Sequence, residues 1–154
     1  MKIYTQAITG EETLADDVSP YSALVAFYAA FNQRNQQLMQ HNWLQSEQAS
    51  MSNPLGGVKR GWQQISQVYE KIFHGEARVY VEFYDYSIHQ GADMFCAVGR
   101  ERGELHIDQH SLALEIRTSR IYCRNEGRWQ QLHHHGSMDR PQLLLEYQNI
   151  LLGK

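Results

Sequence analysis

Apolar positions follow a helical period in three places along the chain and an alternating period in one long block. Leu24, Phe27, Tyr28, Phe31 and Leu38 fall close to a 3.6-residue repeat, which predicts a helix from Ser19-Pro20 to about Met39. Serine caps free amides there, and proline suits the first turn. Residues 40–51 carry Trp43 and Leu44 in a shorter segment of less definite type. Asn53-Pro54-Leu55-Gly56-Gly57 reads as a loop. A second helix is predicted from Gly61 to His74, with Trp62, Ile65, Tyr69, Ile72 and Phe73 as its stripe and Gly75 as its stop. The period then changes. Residues 78–90, 94–102, 105–124 and 128–138 read as strands, broken at Gly91-Ala92-Asp93, Gly103 and Asn125-Glu126-Gly127. Asp139-Arg140-Pro141 opens a last helix with Leu143, Leu144, Tyr147, Ile150 and Leu151 on one face.

Four consecutive strands with short connections predict an antiparallel meander, and helices on one face of it make an α+β domain. Residues 1–18 read as an arm or edge strand with an acidic loop at Glu11, Glu12, Asp16 and Asp17. Residues 19–152 read as one domain. A length of 154 residues suits a single core.

The last strand holds the candidate chemistry. Side chains alternate across a strand, so Trp129, Gln131, His133, His135 and Ser137 are expected on one face. Leu132, His134 and Met138 are expected on the other. A face that starts aromatic and turns polar suits a cavity lining better than a core. Net charge is −3 with no run of Lys or Arg, which argues against nucleic acid and anionic membranes as partners. No apolar run approaches the ~20 residues of a membrane span. The first residues have no apolar signal-peptide core, so a cytoplasmic location is expected. Cys96 and Cys123 each sit in strand-like runs and read as buried thiols or as a disulfide pair.

Several of these segments resemble the nuclear transport factor 2-like superfamily in its SnoaL-like branch, a superfamily that includes ketosteroid isomerase and the calcium/calmodulin-dependent kinase II association domain. The resemblance rests on Phe27-Tyr28-Ala29-Ala30-Phe31-Asn32, the Asn53–Gly57 loop with Gly61 after it, Arg117-Thr118-Ser119, and Trp129 followed by His133-x-His135-x-Ser137. It implies a cone, with a strongly curved antiparallel sheet wrapped around the N-terminal helices. It also implies a pocket on the concave face and a homodimer through the convex face. The isomerase's general-base Asp is replaced here by Asn53, and its oxyanion-donating Tyr falls at Phe27, with Tyr28 one residue on. Its mechanism is therefore not expected.

The candidates follow from both readings. His133 and His135 read either as a catalytic pair in the pocket, one as general base and one as hydrogen-bond donor, since imidazole titrates near pH 6.5, or as two polar residues of a half-exposed sheet hydrogen-bonded to their neighbours. Tyr28, Trp43, Asn53, Arg117 and Ser137 are expected to bind a small-molecule ligand. Arg117 could equally form an ion pair with Glu82, Glu101 or Glu115. His133 and His135 could chelate zinc, but no third ligand at metal-site spacing accompanies them, and no phosphate loop or Gly-x-Ser-x-Gly is present. No metal and no cofactor is expected. The expected function is small-molecule binding in an enclosed polar-aromatic pocket, and whether the pocket histidines also carry proton-transfer chemistry of isomerase, cyclase or dehydratase type stays open. The alternative is a non-catalytic association domain.

Overall fold

The structure is a computed structural model that describes residues 1–153. Helix α1 runs Pro20–Asn32, capped by Ser19, whose side chain accepts the Ser22 amide. The helix expected to continue to Met39 stops there. Arg34 takes a left-handed conformation at φ 54°, and Asn35 caps a separate helix α2, Gln36–Asn42. The bend lets the Arg34 guanidinium donate to the carbonyls of Phe73, Gly75 and Ala77. Arg34 thus closes the C-terminal end of α3, Trp62–His74, where carbonyls have no partner inside the helix. Two short strands, β1 (Ser50–Ser52) and β2 (Lys59–Arg60), flank the Asn53–Gly57 loop.

The meander consists of β3 (Arg78–Gln90), β4 (Met94–Ile107), β5 (His110–Asn125) and β6 (Arg128–Met138), followed by helix α4 (Pro141–Leu151). The sheet order is β2-β1-β6-β5-β4-β3, with β1 parallel to β6. The turn expected at Gly103 is absent, and β4 runs through it. A β-carbon at Gly103 would lie 1.8 Å from the Tyr80 carbonyl oxygen. The glycine is there because β3 crosses β4 too closely for any side chain. The chain reverses instead at Asp108, whose φ is 52°.

Two irregularities bend the sheet. In β3 the register slips between Tyr84 and Ser87, with Asp85 at φ 48°. In β6, Ile121 pairs with His133 while Tyr122 pairs with Gln131, so Leu132 is an extra residue. Such bulges bend a strand and raise its twist. The concave face carries Phe95, Ala97, Leu105, Leu114 and Tyr122, which close on α1 and α3. Residues 1–8 lie along β3, with Tyr4 bonded to Tyr86 and Ile8 to Phe83 through the backbone. Cys96 and Cys123 are free and half-buried, so the disulfide reading is set aside. No helix among the described residues is long and apolar enough to cross a membrane.

Candidate functional site

A cavity of about 340 Å³ lies between the concave face, α3, α4 and the Asn53–Gly56 loop. Its walls are mainly apolar: Phe27 and Phe31 from α1, Val68 and Ile72 from α3, Leu114 and Ile116 from β5. Its polar groups converge on Glu101 of β4, Arg120 of β5, His134 of β6 and Tyr69 of α3. Apolar walls with a few convergent polar groups are what small-molecule sites share.

Arg120 organises this end. It donates to Glu101 Oε1 at 2.8 Å, to Gln131 Oε1 at 2.8 Å and to the Tyr28 hydroxyl at 3.3 Å. Tyr28 in turn donates to Glu101 Oε1 at 2.6 Å. The guanidinium carbon stands 3.6 Å from the Phe27 ring centroid. Side-chain exposure is 2% for Arg120 and 6% for Glu101, so this is a buried ion pair. Burial alone would lower the Arg120 pKa, but the surrounding Tyr28 and Glu101 oxygens outweigh it and hold the charge in place. Glu101 Oε1 accepts both bonds, while Oε2 receives none among the described residues.

His134 stands directly across from Arg120 in the β5–β6 pairing. It is buried, and its Nδ1 has no partner among the described residues. Burial first, and the Arg120 charge second, push its pKa well below the ordinary value. The ring is therefore neutral at pH 7. Tyr69 is pushed well above the phenol range by burial, which Arg120 only partly offsets, so it keeps its proton. The cavity thus offers one anionic acceptor, Glu101, and two neutral groups able to donate, Tyr69 and His134.

The expected histidine face is reversed. The extra residue at Leu132 shifts the alternation by one, so Trp129 and Gln131 point inward and so does His134, while His133 and His135 point outward. His133 is half-buried at the β1 edge, with Nδ1 2.7 Å from Ser50 Oγ. Burial lowers its pKa. His135 is exposed in a shallow outer groove with Arg117 and Ser137. Neither imidazole is among the residues that line the cavity. Arg117 has 63% side-chain exposure and pairs with Asp139 at 3.7 Å, not with any of the three glutamates expected. It and Ser137 lie on the face opposite the cavity.

The other expected ligand residues divide. Asn53 lines the cavity, and its Oδ1 also accepts the Leu55 amide to fix the turn. Tyr28 sits behind the cavity and acts on it through Glu101. Trp43 is fully buried against Tyr69, with ring centroids 6.2 Å apart, and supports the wall without forming it. Glu101, Arg120 and Tyr69 were not among the expected site residues. The signal for the first two was nonetheless present. Glu101 falls in phase with Phe95, Ala97 and Leu105, and Arg120 with Leu112, Leu114 and Tyr122, so each is a charge on an apolar face.

Similar architectures occur in solved structures. A protein named for the calcium/calmodulin-dependent protein kinase type II association domain from Thiobacillus denitrificans is 23% identical. It aligns over 80% of this chain and 97% of its own, with a TM-score of 0.65. A ketosteroid isomerase-like protein from Erwinia carotovora atroseptica is 14% identical over 83% and 100%, with a TM-score of 0.68. An uncharacterised protein with a cystatin-like fold from Caulobacter vibrioides is 17% identical over 86% and 94%, with a TM-score of 0.64. At these identities the likeness establishes the fold. No curated protein matches the chain. The model of the SnoaL-like domain matches residues 21–141, which take in α1 to α3, the loop and the whole meander and stop where α4 begins, and the chain belongs to that family.

Proposed function

We propose that the cavity binds a small, largely apolar organic molecule bearing a carbonyl oxygen, and that the polar end moves a proton on it. Glu101 is the proton acceptor, through its unbonded Oε2, with Arg120 and Tyr28 fixing the carboxylate. Tyr69 and His134 donate to the carbonyl oxygen as negative charge develops there. A neutral imidazole beside Arg120 suits this role, because a second cation at that point would be costly. Proton removal next to a carbonyl is the step shared by isomerisations, cyclisations and dehydrations of such compounds. One observation carries the reading: a charged pair and a neutral histidine converge on a cavity whose remaining wall is mostly hydrocarbon. Groups with displaced pKa values gather at functional sites more often than elsewhere.

Deuterium exchange tests it. The bicyclic ketone 2-tetralone, incubated with the protein in D2O, gains deuterium beside its carbonyl faster than in buffer. Tyr69→Phe lowers that rate roughly 10²-fold, as loss of one oxyanion donor does elsewhere. Glu101→Gln lowers it roughly 10²- to 10⁴-fold. Binding seen by tryptophan fluorescence without exchange would leave a ligand-binding protein and remove the catalytic half. Neither binding nor exchange would remove both.

The outer face of the sheet carries a second element of this reading. Met94 and Val98 of β4 are exposed there at 45% and 43%. Two copies pair through this face as a homodimer, with the cavities opening away from the contact.

A further inference from the structure

The charges around the cavity are unevenly placed. At the inner end Arg120 and Glu101 cancel, and burial holds the neighbouring His134 and Tyr69 uncharged. At the open end stand two lysines, Lys59 of β2 and Lys71 of α3, both exposed. No salt bridge engages either lysine among the described residues, and no acidic residue except Glu101 lines the cavity. Beyond Tyr69, Lys71 and Arg120, the side chains that α1, α3 and β5 give to the lining are apolar.

From this arrangement we infer the class of ligand, resting on the cavity reading above: an amphiphile with an uncharged carbonyl at its inner end, an apolar body, and a carboxylate at its outer end. An inner anion is disfavoured because Arg120 is already paired with Glu101, so a second negative charge there would meet the carboxylate unpaired. An outer anion meets Lys59 and Lys71 in partial contact with water, where an ion pair keeps its solvation and gains modest attraction. The same field draws an anionic ligand towards the mouth against a chain of net charge −3. The lysines therefore select orientation, placing the carbonyl rather than the carboxylate beside Glu101.

A matched pair of probes decides it: 2-tetralone bearing a carboxylate on its aromatic ring, and the methyl ester of the same compound. Tryptophan fluorescence titration at low salt gives about two- to thirty-fold tighter binding of the carboxylate, the range two exposed ion pairs supply. Lys59→Gln/Lys71→Gln, at two exposed positions outside the core, removes that preference and leaves ester affinity within about two-fold. In 0.5 M NaCl the preference shrinks in the parent protein as well. Equal binding of the two probes overturns the inference while leaving the cavity reading intact. A carboxylate preference that survives in the double variant overturns it differently, by placing the anion on Arg120. If neither probe binds, the cavity reading itself fails and this inference with it.

Discussion

Arg120 carries a full charge with 2% of its side chain exposed, and it is stable there because every direction around it is answered. An oxygen accepts on three sides, and the face of Phe27 covers a fourth. His134 meets the opposite solution, since it lies across from that charge and gives up its own. The consequence for stability has a definite sign. Unfolded, His134 binds a proton near its ordinary pKa of about 6.5, while folded it resists until much lower pH. Its contribution is complete above about pH 6.5 and is lost progressively as pH falls below that value. The slope reaches at most about 1.4 kcal/mol per pH unit for one such group. Chemical denaturation between pH 7 and pH 5.5 shows this slope in the parent protein and a shallower one in His134→Gln. An unchanged slope in the variant would mean the imidazole is hydrated in the folded state.

Single residues decide how the strands and helices serve the cavity. Leu132 inserts one residue into β6, and every side chain after it changes face. Asn35 and Arg34 turn one apolar stripe into two helices. At Gly103 the packing of β3 on β4 leaves no room for a methyl group. Gly103→Ala is therefore expected to cost about 1–3 kcal/mol, as overfilled sites do, measured as a lower denaturant midpoint at unchanged slope. A neutral result would place a turn at this glycine after all. The limits of α3, β3 and β6 were legible to within a residue, because a sustained period of 3.6 or 2 marks each. The bulge was not legible, because Gln131, Leu132, His133 and His134 carry no glycine or proline to announce it. Its cause is distant, in the register that β5 imposes.

Taken whole, the molecule is a curved sheet with helices on its concave side, and the cavity is the space that this curvature leaves unfilled. The convex side is left to water or to a second copy. Sedimentation equilibrium at micromolar concentration is expected to give twice the chain mass. Replacing Met94 and Val98 together with Lys returns it to the single mass of 17.9 kDa. A parent protein that remains single at high concentration would remove the paired form.

Local pattern alone determined the order of elements, the α+β class and the resemblance to the SnoaL-like branch. Periodicity and capping act over a few residues, and the chain states them directly. It also determined that Asn53 lies in a loop, since loop composition is local too; that the loop borders the cavity is a tertiary fact. Which face of β6 meets the cavity, and which charged residues meet inside it, were decided only by the folded sheet. Glu101, Arg120 and His134 sit on three different strands, far apart in the chain, and pairing between strands sets their register. One inserted residue is enough to exchange His133 and His135 for His134.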